Sequence, residues 1–163
     1  MEHKTIIKID FMLVVGTVLV FASLMYYAQP LVIAPLDNLE TTNTSILFSF
    51  DKADVILIDD NIEFTSPERI YAENNLVINF KPGKYYWKLQ GLMSSEVRNL
   101  TINSEVSLIL TELQNEYLLS NAGNVPLKVE VYEGEQNKNN LSLIVDEEKN
   151  VSGTKFIGEQ NDK

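Results

Sequence analysis

The chain contains no cysteine. That removes disulfides and thiolate metal sites together and leaves a packed core as the source of stability. One histidine, His3, is the whole complement, so the commonest general base and metal ligand is missing beyond the N-terminal tail. Positive charge is also scarce. Thirteen Lys and Arg stand against 23 Asp and Glu, a net charge of −10, which argues against nucleic acid and anionic lipid as main partners. No glycine-rich phosphate loop is present, and past Leu36 no run longer than ten residues has the spacing of an amphipathic helix. Catalysis has little to work with in such a chain, so the expectation is a protein that is not an enzyme and carries neither cofactor nor metal.

What is present begins with a long apolar stretch. From Phe11 to Leu36 no residue is charged, and Phe11 to Ala28 is almost wholly hydrophobic before Pro30 and Pro35. About 20 apolar residues span a bilayer as a helix, so a transmembrane helix is expected over 11–32, following a tail at 1–10. Lys4 and Lys8 orient the tail to the cytoplasm, and Tyr26 and Tyr27 suit the far interface. The expected location is therefore the plasma membrane, single-pass, with the C-terminal domain extracellular. The rival is a cleaved signal peptide. Ala28 would serve next to the cut, but Tyr26 is a poor residue three positions before it, which favours the anchor. The helix also offers Gly16, Thr17, Ala22 and Ser23 as small residues for contact with another helix, although Gly16 has no later glycine to form a GxxxG pair.

After a polar link at Leu36–Thr44, which leaves room for one edge strand, short alternating runs recur every eight to twelve residues: 46–50, 55–58, 68–71, 76–80, 85–90 and 97–102. That cadence predicts an all-β sandwich. Its centre is Leu76–Gly91, strand, tight turn at Pro82-Gly83, then strand. Phe80, Tyr85, Trp87 and Leu89 are expected in the core, with Pro82 and Gly83 shaping the turn. Tyr86, Lys88 and Gln90 fall on the opposite face. Beyond Asn103-Ser104 the pattern restarts, with strands expected at 106–110, 117–119, 127–132, 141–145 and 155–157. Asn121-Ala122-Gly123-Asn124 supplies a turn, because Asn and Gly tolerate left-handed backbone angles. The predicted organisation is a sandwich at 33–103, a second small β subdomain at 104–157 packed on the first, and a loose tail at 158–163.

Several residues invite functional readings. Sequons place possible glycosylation at Asn43, Asn99, Asn140 and Asn150, the last two expected in polar loops and Asn99 in a strand. Asp51, Asp54, Asp59 and Asp60 contain oxygen ligands suited to calcium, but their spacing fits no EF-hand, and solvated charges flanking a strand explain them better. Neither Asp59-Asp60 nor Glu147-Glu148 makes an acid/base pair, since neighbours on a strand face opposite ways. Tyr86 and Tyr132 lie on polar faces and are the candidates for stacking on a sugar.

Phe80-Lys81-Pro82-Gly83-Lys84-Tyr85-Tyr86-Trp87-Lys88-Leu89 resembles the E–F corner of immunoglobulin-like and fibronectin type III sandwiches. Asn121-Ala122-Gly123-Asn124 is similar to turns in repeat modules of prokaryotic surface proteins. Anchor, sandwich and this second segment together resemble small single-pass archaeal surface proteins with an immunoglobulin/fibronectin-like ectodomain. The resemblance implies a structural or protein-interaction role at the cell envelope. The alternatives are a carbohydrate-binding surface module and an accessory subunit of a membrane complex.

Overall fold

The computed structural model describes residues 3–161 except Asn115, with side chains from Ile7 onward. The chain opens with α1 (His3–Ala28). It starts within the segment expected as a tail and stops short of residue 32. Pro30 ends it, having no N–H to continue the helical ladder. Its apolar stretch, Ile7–Ala28, is 22 residues long and unburied. Such a helix has the length and composition of a membrane anchor or a signal sequence.

The rest of the described chain is strands and the loops that connect them. The first eight are β1 (Leu31–Ala34), β2 (Leu39–Thr41), β3 (Ser45–Asp51), β4 (Val55–Asp59), β5 (Glu68–Tyr71), β6 (Asn75–Asn79), β7 (Gly83–Gln90) and β8 (Arg98–Ile102). Six more follow: β9 (Leu108–Glu112), β10 (Tyr117–Asn121), β11 (Leu127–Glu133), β12 (Gln136–Leu143), β13 (Glu148–Val151) and β14 (Lys155–Gln160). They make four sheets, ordered β1-β3-β6, β2-β8-β7-β4-β5, β13-β10-β9 and β12-β11-β14. The protein is therefore mostly β after its helix. The pair β2–β8 is parallel. β6 and β7 belong to different sheets, so the Pro82-Gly83 turn carries the chain from one sheet to another instead of closing a hairpin.

By internal contacts the chain groups into two units. One holds Met1–Leu36, Leu47–Leu76 and Tyr86–Arg98, and the other Asp37–Ile46, Val77–Tyr85 and Asn99–Lys163. In the first, Trp87 and Phe48 are fully buried and meet edge to face with ring centroids 5.0 Å apart, a geometry that aligns the positive edge of one ring with the negative face of the other. Ile56, Ile58 and Leu89 complete this core. The Trp87 Nε1 is buried with no hydrogen-bond partner among the described residues.

In the second unit Leu119, Val125, Leu127, Val129 and Leu143 form the buried cluster, flanked by Leu108, Tyr117, Leu141, Val151 and Phe156. β11 supplies it by strict alternation: Leu127, Val129 and Val131 are buried while Lys128, Glu130 and Tyr132 are half-exposed. Phe80 is buried as well. Tyr85 and Pro82 are half-buried and Gly83 exposed, the glycine having a φ of +156° that side chains rarely adopt.

Two strands are not expected from the sequence. Leu31–Ala34 pairs with β3, although its composition continues the apolar run of the helix. Leu39–Thr41 fills the place the link leaves open for one edge strand, at the edge of the five-stranded sheet. Glu148–Val151, expected as loop, pairs with β10. The polar half of β12, Gln136–Asn140, pairs with β11 despite lacking apolar residues. Neighbouring strands dictate these pairings, and in β13 and the polar half of β12 no apolar face announces them.

Candidate functional site

The open edges of the sheets are where this fold presents unsatisfied chemistry. β9 ends the sheet β13-β10-β9. Its register pairs Leu108 with Asn121 and Glu112 with Tyr117. Ala122 N–H donates to Ser107 C=O at 2.9 Å and Leu113 N–H to Glu116 C=O at 2.8 Å. In an antiparallel ladder such bonded residues alternate. Residues 107, 109, 111 and 113 therefore turn their backbone to β10, and Leu108, Leu110 and Glu112 turn theirs outward.

Side chains make this edge apolar. Val106, Ile109, Leu110 and Leu113 are each between 43% and 49% exposed. From Asn99 to Leu127 there is no basic residue, while Glu105, Glu112 and Glu116 flank the strand. Lysine, proline and bulges are the usual protections of an edge, and β9 carries none of them. The Leu108 side chain turns inward over Gly158, whose missing Cβ would lie 3.1 Å from Leu108 Cδ2.

The turn beside β9 is held by amides. Asn121 is fully buried. Its Nδ2 donates to the carbonyls of Val125 (2.9 Å), Ile144 (3.1 Å) and Leu143 (3.3 Å), and its Oδ1 accepts from Gly123 N–H at 3.1 Å. Asn124 Nδ2 donates to Thr42 C=O and Asn103 C=O, each at 2.8 Å, and its Oδ1 accepts from Glu105 N–H at 2.7 Å. A side chain at Gly123 would run into the Glu105 carbonyl. The Asn-x-Gly-Asn segment thus acts as a buried brace. The excess of donors and acceptors around residue 121 is something turn propensity alone does not reveal.

A groove of about 660 Å³ opens between β12 and β13, with Val131, Leu141 and Val151 lining it below Lys138, Asn139, Lys149, Asn150 and Ser152. Its cations are already matched: Lys138 to Glu133 at 2.9 Å, and Lys149 to Glu147 at 2.9 Å and the Ser142 carbonyl at 2.8 Å. Glu147 is held below the usual carboxylate range by Lys149 and by the Ile144 N–H.

The remaining singled-out residues are scattered. Tyr86 is half-buried on β7 opposite Asp59. Tyr132 is half-buried on β11, donates its hydroxyl to Glu130 at 2.8 Å, and has Lys155 Nζ 5.4 Å from its ring centroid. That hydrogen bond raises the Tyr132 pKa and lowers that of Glu130. Among the sequons, Asn43 is exposed and caps Ser45 N–H at 2.9 Å, while Asn99 is half-buried with its Nδ2 on Asn38 at 2.8 Å. Asn140 and Asn150 are exposed, but on β12 and β13 instead of in loops.

Among the aspartates, Asp59 is buried, and its carboxylate accepts N–H bonds from Ser66 (2.9 Å) and Asn61 (3.1 Å). Asp51 accepts from Lys52 N–H at 2.9 Å. Among the described residues no three His, Asp or Glu converge to hold a metal. In α1 the Thr17 hydroxyl donates to Leu13 C=O at 2.8 Å, which satisfies it without a neighbour. No protein-family model matches this chain, and no curated protein matches it.

Proposed function

We propose that this chain is a single-pass, membrane-anchored module with its N-terminus cytoplasmic and its β domain extracellular, serving a structural or protein-interaction role at the cell envelope. The observation that carries the interaction reading is the open apolar edge of β9. An extended segment of a partner protein can add to that edge through the outward backbone groups of Leu108, Leu110 and Glu112. Its alternate apolar side chains would pack on Ile109 or Leu110, and Lys or Arg at its flanks would meet Glu105, Glu112 and Glu116. A second copy of β9 is a poorer occupant, since it brings only further carboxylates.

The immunoglobulin/fibronectin-like reading of the first sandwich has support from strand order. In such sandwiches B pairs with E, and C, F and G are neighbours. With β3 as B, β4 as C, β6 as E, β7 as F and β8 as G, the same neighbours recur, with β1 beside B and β5 beside C. Tyr85 adds a hydroxyl bond to the Lys81 carbonyl at 3.1 Å, the kind of link made by the tyrosine at an E–F corner. The buried tryptophan departs from the pattern, lying on F where antibody domains carry it on C.

The test is gentle detergent extraction of the full chain, sizing, and mass spectrometry of stoichiometric companions. Wild type and Asn139→Lys on β12 should retain a companion protein that Leu110→Lys releases. Full retention by Leu110→Lys would remove β9 as the contact. A lone monomer would remove the interaction reading and leave a free-standing surface module, whose next candidate ligands are sugars.

A further inference from the structure

The junction of helix and domain is short and tied down. α1 ends at Ala28, and β1 begins at Leu31, leaving only Gln29 and Pro30 between them. Lys52 reaches back across this joint. Its Nζ donates to the Tyr27 carbonyl at 3.0 Å and lies 4.0 Å from the centroid of the Tyr27 ring. A cation there satisfies a helix-end carbonyl and complements the negative end of the helix dipole.

The loop between β7 and β8 sits on the same joint. A Cβ at Gly91 would collide with the Lys52 carbonyl and lie 3.1 Å from Ala53 Cα, so the two backbones touch and only glycine fits. Residues Ser94, Ser95, Glu96 and Arg98 line one cleft with Gln29–Val32, and Gly91 N–H closes a turn onto Met93 C=O at 3.0 Å. At the tip of that turn is Leu92, 89% exposed, the most exposed large apolar side chain among the described residues, ahead of Tyr26 and Tyr27 at the helix end.

We infer that the Gly91–Ser95 turn is a second membrane contact, which places Leu92 in the apolar–polar interface of the bilayer that α1 enters. This rests on the anchor reading above. With α1 spanning the bilayer, the turn packed on the joint at its end falls at headgroup depth, where burial of apolar surface is favourable and needs no charge attraction. The contact therefore suits a zwitterionic lipid surface despite the acidity of the chain. With Lys52 capping the helix, it fixes this unit against the membrane instead of leaving it to swing on a tether.

Absence of cysteine makes the test clean. Single variants Val18→Cys, Leu92→Cys and Ile62→Cys of the full chain are labelled with an environment-sensitive fluorophore and reconstituted into phosphatidylcholine vesicles containing brominated lipid. Ile62 is the matched control, an exposed apolar residue in the loop after β4. β4 runs antiparallel to β7, with Val55 opposite Gln90 and Asp59 opposite Tyr86, so that loop leaves the opposite end of the strand pair from Gly91. The expected result is strong quenching at 18, and quenching with a blue shift at 92 several-fold above that at 62. Quenching at 92 no greater than at 62, with 18 quenched, overturns the second contact and leaves the anchor standing. An unquenched 18 overturns the anchor and this inference with it. Leu92 is exposed, so the substitution spares the fold.

Discussion

The two buried cores of this protein are built from different materials. Around β3, β4 and β7 the centre is aromatic, Trp87 against Phe48, and the indole N–H has no hydrogen-bond partner among the described residues. Around β10, β11 and β12 the centre is aliphatic, and a fully buried amide, Asn121, stitches three carbonyls and one N–H together. The first core depends on area and shape, which tolerate conservative change in proportion to volume. The second adds a network in which every member must be present, because each orphaned polar group carries its own desolvation penalty. One large ring can anchor a core by itself, whereas small aliphatic side chains gain from a polar brace that fixes how the strands end.

That contrast can be broken at either centre. Trp87→Ala should have the largest effect, about 3–5 kcal/mol of lost stability, because it leaves a ring-sized void. Urea unfolding of the full chain in detergent, followed by circular dichroism, measures it. Trp87→Phe should cost far less than Trp87→Ala, since no hydrogen bond is lost with the indole. Equal losses for the two would mean that the N–H has a role the packing does not reveal. Asn121→Ala comes next, at about 2–4 kcal/mol, from stranding the groups it now satisfies. Asn121→Leu should not recover that loss although it restores volume and apolarity. Recovery by leucine would reduce the amide to a space-filler.

Sequence reading reached the two centres unequally. Alternation in Tyr85, Trp87 and Leu89 was enough to bury Trp87 and Leu89, because a strand with a large apolar face has one sensible orientation. Tyr85 carries a hydroxyl that seeks the Lys81 carbonyl, and it stays half-buried. Asn121 reads as a turn residue but ends β10, paired with Leu108, and nothing in Asn-Ala-Gly-Asn distinguishes an exposed turn from a buried brace. That depends on the ends of β10 and β12 meeting there. β1 was hidden because LVIA prolongs the hydrophobic run before it. β13 and the polar half of β12 were hidden because edge strands borrow their pairing from a neighbour. The β9 edge was legible as a strand, and its openness was not, since strand order is a property of the whole topology. Leu92 is marked out by the contact of Gly91 with the Lys52 backbone, which no sequence pattern carries.

The smallest expected effect separates the regions by their response to acid. Asp59 is held below the ordinary carboxylate range chiefly by the Ser66 N–H, with Asn61 adding and burial opposing. A carboxyl with a depressed folded pKa contributes stability that is complete above its unfolded value and is lost as pH falls through the folded one. Stability of the wild type should therefore decline from about pH 4 downward, and Asp59→Asn should flatten part of that decline. Glu147 is depressed in the other region, but first by Lys149 and only then by the Ile144 N–H. Its share is a half-exposed charge pair, which salt screens. Urea midpoints at several pH values, in low and in molar salt, check both. Salt should shrink the difference between wild type and Glu147→Gln and leave that for Asp59→Asn nearly unchanged. If both shrink alike, Asp59 is governed by the acidic field of the chain and not by the N–H groups that its carboxylate caps.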